Sequence, residues 1–161
     1  MPRIRVGVAG EVVFVGHVHD PYCQAEAKRL SELSTEFAES WAQMVAFYEF
    51  FATQPVTAGA DVAKGMLPLT RQLAASDVAS QFRAGQGLTT LIISRAAVHG
   101  LDDGDPFITV YFSPKHMYRI AFHPHGSNGR AREYVASAED VSSTLAGLLE
   151  ALKTAVPLPG A

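Results

Sequence analysis

Histidine is the residue type whose spacing in this sequence could support chemistry. Four of the six histidines form two His-x-His pairs, His17/His19 and His123/His125. Residues two apart share one face of a β-strand, so each pair would present two imidazoles side by side. Imidazole is a zinc ligand. If the two strands are neighbours, His17, His19, His123 and His125 form a candidate metal site, and zinc is the only cofactor that the sequence suggests.

The same pairs have a simpler interpretation as surface histidines. Pro124 indicates that the second pair straddles the end of a strand, because proline cannot donate to a sheet ladder. Neither a Cys-x-x-Cys nor a His-Glu-x-x-His motif accompanies them. Both interpretations therefore stay open at this stage.

A second candidate site is cationic. The segment 106–132 contains no Asp or Glu, although the whole chain has a net charge of −3. It carries four basic residues that could hold an anion: Lys115, Arg119, Arg130 and Arg132. The alternative is a solvated face balanced by an acidic helix face with Glu32, Glu36 and Glu39.

Nucleophilic catalysis has little support. The sequence has no Gly-x-Ser-x-Gly motif. Cys23 is the single cysteine, at the start of a predicted helix where a thiol can be activated. It also falls on the apolar stripe of that helix, which predicts a buried and slowly reacting side chain. We therefore predict no catalytic residues and leave enzymatic activity uncertain, with a non-enzyme favoured.

The strongest structural signal is one long helix, since no Gly or Pro interrupts residues 22–54. Such a helix would be about 50 Å long. Its apolar residues recur at helical spacing: Cys23, Leu30, Leu33, Phe37, Trp41, Met44, Tyr48 and Phe51. Phe47 and Phe50 lie outside this stripe and need a second apolar surface. We identify them as candidate interface residues and predict a homodimer.

The remaining elements complete an α+β pattern. A β-hairpin is predicted over residues 3–19, and short helices over residues 56–87, interrupted at Pro68 and ending at Gly85. Strands are predicted at 88–98, 107–112, 117–123 and 132–136. A capping motif at 137–140 precedes an amphipathic helix, marked by Val141, Leu145, Leu148, Leu149 and Leu152.

The predicted fold is α+β. An antiparallel sheet, made of the N-terminal hairpin plus a C-terminal meander, packs against one long helix, short helices and a C-terminal helix. Residues 1–156 are predicted to form a single domain, followed by a tail at 157–161. This order of elements is similar to that of PAS-like sensor folds.

Composition limits the function classes. The chain has 161 residues, a charge of −3 and no apolar run of membrane-spanning length, which argues against nucleic-acid and membrane partners. One cysteine and no apparent signal peptide favour a cytoplasmic location. Nine arginines against four lysines are typical of bacterial proteins from GC-rich genomes.

These features support three hypotheses. The first is a small bacterial protein that acts through protein–protein interaction, as an adaptor, a regulator, or an immunity- or chaperone-like partner. The alternatives are a histidine-rich domain that binds a metal or a small ligand, with a hydrolase as one form of it, and a PAS-like sensor that holds a ligand against the aromatic helix.

Overall fold

The structure, a computed structural model, describes residues 21–55, 58–97, 100–113 and 115–156. The chain divides into two units, residues 1–31 and residues 32–161. The hairpin predicted at 3–19 and the tail predicted at 157–161 lie outside the described residues, and the single-domain assignment stays a prediction. Within the described ranges, none of the helices has the length and apolarity needed to cross a membrane.

The predicted long helix is confirmed as α1 (Pro21–Ala52). Its stripe is buried at Phe37, Trp41, Met44 and Tyr48. The prediction that Cys23 is buried is wrong, because its side chain is exposed. Helical periodicity identifies which face of a helix is apolar, but not how far along that face its neighbours extend.

The region after α1 is more regular than its sequence suggests. α2 (Ala58–Ala74) runs without a break through Pro68, where an interruption was expected. Pro68 is exposed, so water can reach the backbone carbonyl that loses its hydrogen-bond donor there. α3 (Val78–Gln81) is the short helix predicted after Ser76, whose hydroxyl accepts a hydrogen bond from the Val78 amide at 3.3 Å.

Five antiparallel strands form one sheet in the order in which they occur in the chain. They are β1 (Arg83–Gly87), β2 (Thr90–Ser94), β3 (Phe107–Phe112), β4 (Tyr118–His123) and β5 (Arg132–Ala136). The predicted meander is confirmed, and the α+β class with it. Residues 83–87 were predicted to belong to the helical region; instead Ala84 and Gln86 pair with Ile93 and Leu91 of β2. Two glycines in this strand hide its β character, because they contribute no side-chain pattern.

The core lies on one face of the sheet. Alternate strand residues pack there with the buried residues of α1, α2 and α4 (Val141–Thr154), in a single cluster that includes Leu91, Ile93, Ile108, Val110 and Ile120. The five apolar residues predicted for α4 are the five buried ones. Ahead of α4, the Ser137 hydroxyl accepts a hydrogen bond from the Asp140 amide at 3.2 Å, although Asp140 lies at the N-cap of α4 and not within its first turn, where the capping motif predicts it.

Candidate functional site

A cavity of about 550 Å³ lies between α2 and the turn that joins β3 to β4. This volume falls within the ~300–1,000 Å³ range of small-molecule sites. Its apolar wall comes from Val62, Tyr111 and Phe112, and two of its polar groups, Asp61 and Lys64, come from one side of α2. Since α2 and the turn both belong to the unit of residues 32–161, the cavity is internal to that unit.

Gly65 brings α2 close enough to the sheet to form this cavity. A Cβ at position 65 would overlap the ring of Phe112, so only glycine permits the observed packing. On the same side of α2, the Tyr118 hydroxyl donates to the Gly65 carbonyl at 2.7 Å. The spacing between helix and sheet is therefore determined by one glycine, one aromatic ring and one hydrogen bond.

His116 lines the cavity from the β3–β4 turn, in a backbone conformation that is rare for a residue with a side chain. Its φ is +58°, in the left-handed region. The turn is held by hydrogen bonds from the Ser113 amide to the Met117 carbonyl at 2.8 Å and from the His116 amide to the Ser113 carbonyl at 2.9 Å. The imidazole meets the edge of Phe112, with ring centroids 6.0 Å apart.

The charged groups of the cavity form a neutral pair. The Lys64 ammonium lies 3.7 Å from the Asp61 carboxylate, one turn earlier in α2, and both side chains are more than half exposed. An exposed pair of this kind contributes at most about 1 kcal/mol to stability, so its partners can exchange readily for charges on a ligand. The cavity thus combines an aromatic wall with one positive and one negative group.

The predicted histidine site is described only in part. His17 and His19 lie outside the described residues, so convergence of the two pairs stays a prediction. His123 is the last residue of β4 and stacks on Phe107 with ring centroids 4.2 Å apart, while His125 is exposed in the following turn. Among the residues that the structure describes, no cluster of three or more His, Cys, Asp or Glu side chains could hold a metal.

His123 should give the protein an acid-sensitive contribution to stability. Burial lowers the pKa of His123, and the charge of Glu133 opposes this only in part. The unfolded state therefore binds the proton more readily than the folded state. The contribution of His123 to the free energy of unfolding is complete above about pH 6.5 and is lost as the pH drops below that value. His123→Phe is expected to reduce this fall, measured as the change in urea midpoint between pH 7.5 and 5.5. His125→Gln is the control; full acid sensitivity in His123→Phe would contradict the expectation.

The four cationic residues are spread over the sheet. Lys115 and Arg130 lie in the turns at opposite ends of β4, about 20 Å apart at strand rise. Arg119 faces away from the core and lies 4.0 Å from Glu133. Arg132 is paired with the buried Phe122 on the neighbouring strand, so these two residues lie on the other face of the sheet, the one that carries the core. These positions do not form one anion site. On the acidic helix face, Glu36 pairs with Arg83 at 3.0 Å, which is not one of these four residues.

Phe47 and Phe50, the candidate interface residues, differ in burial. Phe47 packs on the edge of the core and contacts Phe51, with ring centroids 4.6 Å apart. Phe50 is 61% exposed and contacts the edge of Phe51. Helical periodicity separates both residues from the main stripe, but only Phe50 is left in water within this chain.

The β1–β2 turn adds a second exposed apolar residue near this end of α1. Leu88 is 90% exposed and has a φ of +58°. The next residue, Thr89, accepts a hydrogen bond through its carbonyl from the Tyr48 hydroxyl at 3.1 Å, which fastens the turn to α1. Burial raises the pKa of Tyr48, so this donor stays protonated. We use the name hairpin-tip surface for the apolar residues at this end of α1 and in the β1–β2 turn, which are Phe47, Phe50 and Leu88.

Sequence reasoning missed Leu88 and the cavity. A leucine in a strand-like run gives no signal of a left-handed conformation, and Leu88 was assigned to a strand. The cavity residues come from two segments about 50 positions apart, so no local spacing marks them. No family model matches the chain, and no curated protein or solved structure is detectably similar to it.

Proposed function

We propose that this protein is a non-catalytic interaction protein that acts as a homodimer through the hairpin-tip surface. The observation that carries the proposal is Leu88, a large apolar residue that is both exposed and conformationally strained. The single cysteine and the composition further support a bacterial, cytoplasmic setting.

The energetics of Leu88 favour a contact outside the chain. A left-handed conformation costs a non-glycine residue about 1–2 kcal/mol, which glycine or asparagine would largely avoid. Leaving the leucine in water forgoes a further ~1.5–3 kcal/mol of burial. A partner that covers Leu88 would recover the burial energy and account for leucine at this position.

A second copy of the chain is the partner that fits this surface. A twofold axis brings the same patch of each subunit together, so an apolar patch meets an apolar patch. Beside Phe50, Glu49 is already paired with Arg71 at 2.6 Å. This local neutrality avoids the repulsion between like charges that a twofold axis otherwise creates.

Dimerisation is tested by sedimentation equilibrium of the wild type and of Leu88→Asn and Phe50→Asp. The wild type is expected at twice the 17.3 kDa chain mass. Each substitution should weaken association about tenfold or more, since burial of one such side chain is worth ~1.5–3 kcal/mol. Leu88→Asn should also stabilise the monomer, because asparagine tolerates the left-handed region.

The control is Val135→Thr, which removes another exposed apolar side chain, on β5, and should leave association unchanged. A wild type that sediments at 17.3 kDa at high concentration would refute the homodimer. Dimerisation of Leu88→Asn and Phe50→Asp with wild-type affinity would show that a different surface forms the interface.

A second candidate function is the binding of a small ligand. The observation that favours it is the cavity beside α2, with its aromatic wall and its pair of opposite charges. This function is compatible with the first, because the cavity residues and the hairpin-tip surface do not overlap.

A further inference from the structure

We propose that the cavity between α2 and the β3–β4 turn binds an aromatic α-amino acid in its zwitterionic form. This inference does not depend on the homodimer. It rests on the combination of residues in the cavity: the aromatic and aliphatic wall of Tyr111, Phe112 and Val62, and the opposite charges of Asp61 and Lys64.

The charges select the ligand class. Asp61 and Lys64 lie 3.7 Å apart, so a ligand with adjacent positive and negative groups can pair with both at once. A free α-amino acid carries its ammonium and carboxylate on one carbon and meets this requirement. A ligand with a single charge would satisfy one residue and face repulsion from the other.

The apolar lining of the cavity favours an aromatic side chain on that ligand. Both charged groups are more than half exposed, which places them at the mouth of the cavity, while Val62 is buried. The ring of a bound amino acid can therefore enter among Phe112, Tyr111 and Val62 while its charges stay at the mouth. His116, whose imidazole contacts the Phe112 edge, lies against the same wall and can add a ring contact.

The test compares three indole probes that differ in which charged groups they carry: L-tryptophan has both, tryptamine has the ammonium alone and indole-3-propionate has the carboxylate alone. Isothermal titration of the wild type should rank L-tryptophan as the tightest by about tenfold, because it alone can pair with both Asp61 and Lys64. Equal affinity for the three probes, or no binding of L-tryptophan at millimolar concentration, would overturn the proposal.

Two substitutions test which residue binds which charged group of the ligand. Asp61→Asn should weaken L-tryptophan and tryptamine about tenfold and spare indole-3-propionate, whereas Lys64→Met should weaken L-tryptophan and indole-3-propionate and spare tryptamine. The control is Lys153→Met, which breaks an exposed i,i+3 pair with Glu150 on α4. Loss of all three probes in either cavity variant would contradict the assignment, and the wild-type ranking decides the proposal even if a variant folds poorly.

Discussion

Trp41→Ala is expected to lower the free energy of unfolding by about 3–5 kcal/mol, the range for removal of a buried Trp. Trp41 is fully buried, and its indole N–H donates to the Phe82 carbonyl at 2.9 Å. The substitution leaves a cavity beside β1 and a buried carbonyl without its donor. The free energy of unfolding of a domain is ~5–15 kcal/mol in total, so the variant should lose a large fraction of its stability.

Urea denaturation followed by far-UV circular dichroism measures this effect without relying on the fluorescence of the deleted indole. Trp41→Phe should lose less, because it keeps most of the volume and sacrifices only the hydrogen bond. Phe50→Ala is the control on the same helix, since Phe50 is 61% exposed. A loss below about 1 kcal/mol for Trp41→Ala would show that the contact between Trp41 and Phe82 does not stabilise the fold.

Gly65→Ala is expected to lower the free energy of unfolding by about 1–2 kcal/mol and to abolish the amino-acid binding proposed above. The new methyl group would overlap the Phe112 ring, which must leave its position against α2. Loss of that burial costs ~1.5–3 kcal/mol, offset in part by the ~0.5–1 kcal/mol that alanine gains over glycine in a helix.

The matched control, Gly147→Ala, is expected to change the free energy of unfolding in the opposite direction. Gly147 is also a helical glycine, in α4, but a Cβ there meets no atom within 4 Å. Gly147→Ala should therefore stabilise the protein by ~0.5–1 kcal/mol. Thermal or urea unfolding of both variants measures the two changes. If Gly65→Ala stabilises the protein, the Phe112 ring can move away from α2 with no loss of stability, and the expectation is wrong.

Periodic apolar residues predicted much of the fold. The four buried residues of the α1 stripe and the five buried residues of α4 were identified from spacing alone, because side-chain direction follows the helical repeat, although Leu30 and Cys23 of the same stripe are exposed. β3 and β5 were predicted with their observed bounds, since β-branched and aromatic residues separate them clearly from polar turns.

The errors have a common physical cause in tertiary context. α2 continues through Pro68 because the proline faces solvent, and β1 forms around two glycines because β2 supplies a pairing partner. Cys23 is exposed although it shares a stripe with Phe37. In each case the deciding interaction involves residues distant in sequence or solvent, which local propensity does not contain.

The candidate site was the least predictable part. Asp61 and Lys64 have ordinary helical spacing, and nothing local connects them to His116 on a turn. Their proximity depends on Gly65, whose role is visible only when the Phe112 ring is seen against it. Histidine spacing, the feature that first suggested chemistry, instead led to His123, which stacks on Phe107.

The order of the sheet has a consequence for how fast the chain folds. Each strand pairs with the strand next to it in sequence, so every ladder closes over a connection of two to twelve residues. Loop closure then costs little entropy, and the sheet can assemble hairpin by hairpin. The contact from Trp41 to Phe82 spans 41 residues and cannot form until α1 docks. Docking of α1, rather than strand pairing, therefore carries the larger entropic barrier, and substitutions at Trp41 will reveal how early in folding it occurs.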